Sequence, residues 1–202
     1  MSNARSNGDF ILASASPRRQ QLLRQVGLFF HVVPSRVREV NHTKMDPTSH
    51  VLHWAAAKAG EVAQRYPRTW VLGADTIVVL DEQILGKPAH PADAVRMLSL
   101  LSGRSHRVIS GLCLQLRHGQ VEERVWVETV VFMKRLGAEE IRGYVATGEP
   151  LDKAGAYGIQ GIGGCLVQRI EGSYSNVVGL PLCEMVDLLR RHEVADPYKI
   201  SS

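Results

Sequence analysis

The chain has 202 residues, 45% of them hydrophobic and 22% charged, with a formal net charge of +4. That size and balance suit one sizeable soluble domain, or two lobes sharing a sheet, with a proper core. They come without any run near the ~20 apolar residues of a membrane span, without a like-charge block or aromatic–basic motif of a nucleic-acid binder, and without a cysteine pattern for a zinc ribbon or disulfide framework.

Asp9 to Ala13 reads as a first strand, and Pro17 to Val26 as a helix stopped by Gly27. Leu28 to Pro34, apolar and aromatic, predicts a second strand, and the polar stretch from Ser35 to Pro47 a loop. Thr48 to Tyr66 has helical spacing, with Val51, Leu52, Ala55, Ala59 and Val62 facing inward. Trp70 to Leu80 is strongly β-branched and predicts a central strand, with a hairpin turn at Asp81-Glu82-Gln83 before Ile84-Leu85. Pro91 to Leu101 is a helix closed by Ser102-Gly103. His106 to Arg117 and Val121 to Met133 form a long β-hairpin about His118-Gly119-Gln120. Ala138 to Thr147 is a helix, and Gly155 to Gly164 is too glycine-rich for regular structure. Cys165 to Ile170 is a strand, and Asn176 to His192 a closing helix interrupted by Gly179-Leu180-Pro181.

Alternating strands and helices with one long antiparallel pair make an α/β chain with a mixed sheet. No linker separates autonomous domains, so one unit is expected over residues 9–193, bilobed with a cleft, between flexible termini at 1–8 and 194–202. The polar start lacks an apolar signal core. Cys113, Cys165 and Cys183 are expected as reduced, largely buried thiols in a cytoplasmic protein.

Four constellations carry chemistry. Ser14-Ala15-Ser16-Pro17-Arg18-Arg19 joins a strand to a helix start, where Ser16 can cap and Pro17 fits the first turn. Outward N–H groups, the helix dipole and forked arginine donors there suit anionic oxygen. The alternative is an ordinary N-cap with two solvated arginines. Gly73-Ala74-Asp75-Thr76 places a carboxylate inside an apolar strand, which is costly unless Asp75 is ion-paired, holds a divalent cation, or accepts a proton from water. Gly86-Lys87-Pro88 fixes a lysine on a loop, to bind phosphate or to face solvent. The run from Asp152 to Gly161 lets backbone approach a ligand closely, and Gln160 has the donor and acceptor needed to read a nucleobase edge. His50 and His53, three apart on a helix, lack a third ligand nearby and read as solvated or structural. No GxSxG elbow, Walker loop or dinucleotide fingerprint occurs.

These pieces in this order, with Ser102-Gly103-Arg104-Ser105-His106 and Asn176-Val177-Val178-Gly179-Leu180-Pro181, resemble the Maf family of nucleoside triphosphate pyrophosphatases from Phe10 to about Leu189. The resemblance implies a twisted mixed β-sheet flanked by helices, bilobed with a central cleft, similar to inosine triphosphate pyrophosphatase. It implies hydrolysis of a nucleoside triphosphate to the monophosphate and pyrophosphate with a divalent metal, Mg2+ or Mn2+. By position, Asp75 is the proton acceptor; Arg18, Thr76 and Gln160 tune base choice; Glu39 and Asp75 hold metal. Ser14, Arg18, Arg19, Lys58 and Lys87 would meet phosphate. The threonine after the aspartate, with Ala156-Tyr157-Gly158-Ile159-Gln160, points to the dTTP and UTP subfamily. The alternatives are the sister subfamily acting on 7-methyl-GTP, or a nucleotide-binding regulator of cell division (septum formation). Where the family carries an Asp-Glu pair, this chain has Arg38-Glu39. Neither nucleic acid nor membrane is expected as a partner, and a homodimer is allowed.

Overall fold

The computed structural model describes residues 10–39 and 45–199. Seven strands, β1 (Phe10–Leu12), β2 (His31–Val32), β3 (Trp70–Leu80), β4 (Gln83–Leu85), β5 (Ser105–Leu116), β6 (Val121–Met133) and β7 (Val167–Glu171), form one sheet. The helices are α1 (Pro17–Gln25), α2 (Pro47–Arg65), α3 (Pro91–Leu101), α4 (Ala138–Ala146), α5 (Tyr174–Val178) and α6 (Leu182–Arg191), with 3₁₀ turns between Glu149 and Leu166. The strand order is β2-β1-β3-β5-β6-β7, with β4 against β3. The β2–β1–β3 pairings are parallel and all others antiparallel, which makes the sheet mixed.

Strand β3 organises the molecule. β5 takes one of its edges from Val71 to Val79. β1 pairs its other edge only as far as Leu72, and β4 only from Val78. Neither strand covers that edge from Gly73 to Ile77, and the cleft opens there. Alternation along β3 sends Gly73, Asp75 and Ile77 to one face and Ala74, Thr76 and Val78 to the other.

Helix α2 lies across the first face. Asp46 caps it, its carboxylate accepting from the N–H groups of Thr48 and Ser49 at 3.0 Å, and Pro47 sits in the first turn. Its buried stripe, Val51, Ala55, Ala59 and Val62, is built of small side chains, two of them alanine, which lets the helix backbone approach the sheet. Gly73 and Gly111 receive it: a Cβ on Gly73 would overlap the Ala55 carbonyl oxygen, and one on Gly111 would lie 2.5 Å from that of Val51. The opposite face carries two clusters. In one, Leu22 and Leu23 of α1 and Met185, Leu188 and Leu189 of α6 cover Leu72, Leu112 and Leu114. In the other, α3 and α4 pack with Val78, Val108, Tyr157 and Leu166. The cleft separates the two blocks.

Several expectations change. The second strand contracts from Leu28–Pro34 to His31–Val32, because β1 offers only Ile11 and Leu12 as partners, and Phe29 is exposed. Leu52 is half-buried. The hairpin turn is Asp81-Glu82, both with positive φ, and Gln83 already pairs with Leu80. Residues 154–156 and 161–166 of the glycine-rich stretch form 3₁₀ turns, so the following strand begins at Val167 and ends at Glu171. The closing helix is interrupted at Gly179 (φ 122) to Pro181 as expected, but its first part begins earlier, at Tyr174. The tail does not fray at Glu193: the Val194 N–H bonds the Leu189 carbonyl oxygen and Ala195 is buried. Of the cysteines only Cys113 is buried, which pushes its thiol up to about 12; Cys165 and Cys183 are exposed. Residues 1–9, 40–44 and 200–202, with the terminal-flexibility and loop expectations that fall on them, lie outside the described residues. Among the described residues no helix is long and apolar enough to cross a membrane.

Candidate active site

The cleft has a volume of about 950 Å³ and is walled by the start of α1, the segment after β2, the uncovered stretch of β3, the Gly86-Lys87 turn and the 149–161 segment. Asp75 sits at its base, 5% exposed. Lys58, one helix face away on α2, donates from Nζ to Asp75 Oδ1 at 2.7 Å and lies 2.6 Å from Glu39 Oε1. One ammonium therefore joins the two acids expected to hold metal. The family resemblance implies phosphate contact for Lys58; its ammonium lies between these two carboxylates. A buried acid without such a partner would cost several kcal/mol, about 3–5 when one member of a buried pair is removed. The second oxygen, Asp75 Oδ2, is buried and has no hydrogen-bond partner among the described residues.

The two neighbouring arginines diverge, since adjacent helical residues point in different directions. Arg19 turns inward. Its Nε donates to the Gly179 carbonyl at 2.8 Å, its Nη1 to Ser14 Oγ at 3.1 Å and the Ala74 carbonyl at 2.9 Å, and its Nη2 to Thr76 Oγ1 at 3.2 Å. Of five guanidinium N–H groups, four are committed to protein acceptors, so Arg19 clamps α1, β3 and the α5–α6 link together. Burial lowers its pKa, opposed by the charges of Asp75 and Glu39. Arg18 turns to the cleft mouth, where its Nη1 donates to Asp152 Oδ2 at 2.8 Å across the two walls. Burial of Asp152 works against its charge, but Lys153 and Arg18 prevail and hold its carboxyl below the usual range.

Ser14 Oγ accepts from Arg19 and from the Ser16 N–H at 3.3 Å, which leaves its own proton to give to a ligand oxygen. Thr76 Oγ1 lies 2.8 Å from Ser110 Oγ and 3.3 Å from the Gly179 carbonyl, so its hydroxyl belongs to the Arg19 network. Lys87 is exposed at the rim and Gln160 is half-buried in the wall; among the described residues the first has no ion pair and the amide of the second no hydrogen bond. His50 is buried, lines the cleft and meets Trp54 edge-on, with ring centroids 6.3 Å apart; His53 is exposed.

Sequence reasoning missed the polar groups under the 149–163 segment. Glu149 Oε1 accepts from the Tyr144 hydroxyl at 2.9 Å and the Gly163 N–H at 3.0 Å, and Oε2 from the Ile162 N–H at 3.1 Å. Burial raises the Glu149 pKa, but these donors outweigh it and hold the carboxyl below its usual range. The signal for this was a glycine-rich stretch that only side-chain partners can hold still. Nearby, His106 Nε2 lies 2.6 Å from the Tyr157 hydroxyl, both residues buried. Burial pushes His106 down from 6.5 to about 4. Unfolded chains therefore bind a proton that the native state refuses between those values, and stability falls as pH drops through that window, by about 1.4 kcal/mol per unit. Denaturant titrations at stepped pH should show this slope, and H106F should flatten it.

A mixed sheet with a polar, cation-walled cleft at an uncovered strand edge defines an α/β protein built to hold an anionic ligand beside a buried acid. Residues 9–192 match the family described as Maf-like protein, and the chain belongs to it. It is 54% identical over 183 residues to a dTTP/UTP pyrophosphatase of Syntrophotalea carbinolica, covering 90% of this chain and 83% of that one. It is 52% identical over 193 residues to a dTTP/UTP pyrophosphatase of Geotalea uraniireducens, covering 95% and 97%. A solved HAM1 protein from Coxiella burnetii shares the fold at a TM-score of 0.51 and 13% identity, covering 91% of this chain and 99% of that one.

Proposed function

We propose that this protein is a cytoplasmic nucleoside triphosphate pyrophosphatase that hydrolyses dTTP and UTP to the monophosphate and pyrophosphate. The observation that carries the reading is Asp75: a buried carboxylate with one oxygen fixed by Lys58 and the other uncommitted, at the base of a cleft edged by Arg18, Lys87 and Lys153. Relatives about half identical over nearly the whole chain bear the name of that activity.

In this reading the Asp75 carboxylate takes a proton from water as the water attacks the α-phosphorus. Ser14 donates its free proton to a phosphate oxygen, and Arg18 and Lys87 offset charge on the departing pyrophosphate. Gln160 meets the pyrimidine edge, and Thr76 acts through the Arg19 network rather than by a free hydroxyl. The donor set suits a hard divalent cation: Asp75 has an orphaned buried oxygen and Glu39 stands on the same ammonium, while no group of three ligating side chains gathers among the described residues. Mg2+ takes one or two carboxylates plus substrate phosphates and waters. Glu39 and Asp75 would hold Mg2+ or Mn2+, which would lower the acidity barrier of bound water and neutralise phosphate charge.

Pyrophosphate release measured across the common nucleoside triphosphates, with Mg2+, Mn2+ and chelator, tests the reading. Release from dTTP and UTP in preference to purine nucleotides, abolished by chelator, is the expected result. No release from any triphosphate with either metal overturns it.

A further inference from the structure

The segment from Glu149 to Gly163 carries Tyr157 and Gln160 into the cleft wall, yet its composition resists order. Gly155, Gly158, Gly161 and Gly163 punctuate it, and Gly155 and Ala156 both take left-handed backbone, at φ 67 and 58. Such a stretch loses much conformational entropy when fixed and must be held by specific partners.

One hydroxyl stands at the junction of that hold. Tyr144 stands on α4, 4% exposed and outside the cleft lining. Its OH donates to Glu149 Oε1 at 2.9 Å and accepts from the Gly158 N–H at 3.3 Å. Glu149 passes the connection on, accepting from Ile162 and Gly163. Both ends and the middle of the segment thus converge on the Tyr144–Glu149 pair. The packing is tight: a Cβ on Gly163 would overlap the Tyr144 oxygen and the Gly158 carbonyl oxygen. Lys153 Nζ bonds the Glu149 carbonyl at 2.5 Å, and His106 secures Tyr157 from the other side.

We infer that Tyr144 is a positioning residue for base selection: through Glu149 and Gly158 it fixes the segment that presents Gln160, without touching substrate. The inference rests on the pyrimidine-nucleotide reading for what Gln160 meets, whereas the anchoring can be tested without it. The hub sets where Gln160 stands and does not face the reacting phosphorus. Its loss should therefore blunt the choice between bases and raise KM more than it lowers kcat.

The variant is Y144F, which deletes one oxygen from a residue otherwise packed in the α3–α4 cluster. Two measurements are made on the whole chain. Amide hydrogen exchange at Gly158, Ile162 and Gly163 should speed up by about 3- to 10-fold relative to α2, the scale of one neutral hydrogen bond. The ratio of kcat/KM for dTTP to that for GTP should fall by about the same factor, mostly in KM. Y157F, which frees the same segment from His106, should move both readouts in the same direction. A Y144F enzyme with its fold intact and its base ratio unchanged overturns the inference, as does unchanged exchange in the segment. A wild-type protein indifferent to the base removes the pyrimidine reading and with it the role in selection; exchange then decides the anchoring alone.

Discussion

Asp75→Asn is expected to reduce pyrophosphate release by about 10²-fold or more while nucleotide affinity changes little. Among the described residues the carboxylate is the one group in the cleft that combines burial, a fixed orientation and an uncommitted oxygen. Asparagine keeps the volume and can still accept from Lys58 through its amide oxygen, but its NH2 cannot take a proton from water. Lys58 keeps Glu39 as a partner, so the substitution does not strand a buried charge and the fold should survive. The cations proposed to meet phosphate, Arg18 and Lys87, lie on other elements and are untouched. Steady-state turnover together with direct binding of a non-hydrolysable dTTP analogue separates the two effects. Turnover within a few-fold of wild type would remove Asp75 from the chemistry; lost binding with it would make Asp75 a ligand site rather than a base.

Gly73→Ala is expected to be the most damaging single methyl in the molecule. Its Cβ would overlap the Ala55 carbonyl oxygen and sit 2.8 Å from the Ala59 nitrogen, both main-chain atoms of α2. Main chain cannot rotate out of the way as a side chain can, so the helix must lift from the sheet. Overpacking of this kind costs about 3 kcal/mol or more. For a domain of this length that lowers Tm by about 6–12 °C, read by calorimetry. The functional consequence follows from the same contact. Lys58 rides on α2 one turn from Ala55, so lifting the helix draws its ammonium from Asp75, and the folded fraction should also lose turnover. Gly111→Ala, which meets Val51 of the same helix, should behave alike. A Tm within ~2 °C of wild type would show that α2 does not approach the sheet this closely.

Where local rules and tertiary contacts agree, the chain is legible from its residues. Helix α3 runs from Pro91 to Leu101 as its proline start and apolar spacing require, and the β5–β6 hairpin follows from two long β-branched runs about a short turn. Where length is set by a partner, local reading overshoots. Residues 28–34 have strand composition, but a strand exists only where β1 can pair with it, over two residues. The site divides in the same way. Asp75 stood out because a carboxylate in an apolar strand needs an explanation that sequence alone can demand. Its partner Lys58 lies 17 positions away on a helix, and nothing local to either residue joins them. Arg18 and Arg19 look equivalent as letters; the turn of one residue sends the first to the cleft and the second into a clamp on three elements. The Tyr144–Glu149 hub was invisible because tyrosine on a buried helix face reads as core until its hydroxyl is seen to have a destination.

The most direct measurement of how the site works is hydrolysis of dTTP in heavy-oxygen water, with the products separated and weighed by mass spectrometry. If water held at Asp75 attacks the α-phosphorus, one heavy oxygen appears in the thymidine monophosphate and none in the pyrophosphate. Label in the pyrophosphate, or release of orthophosphate in its place, would contradict that geometry.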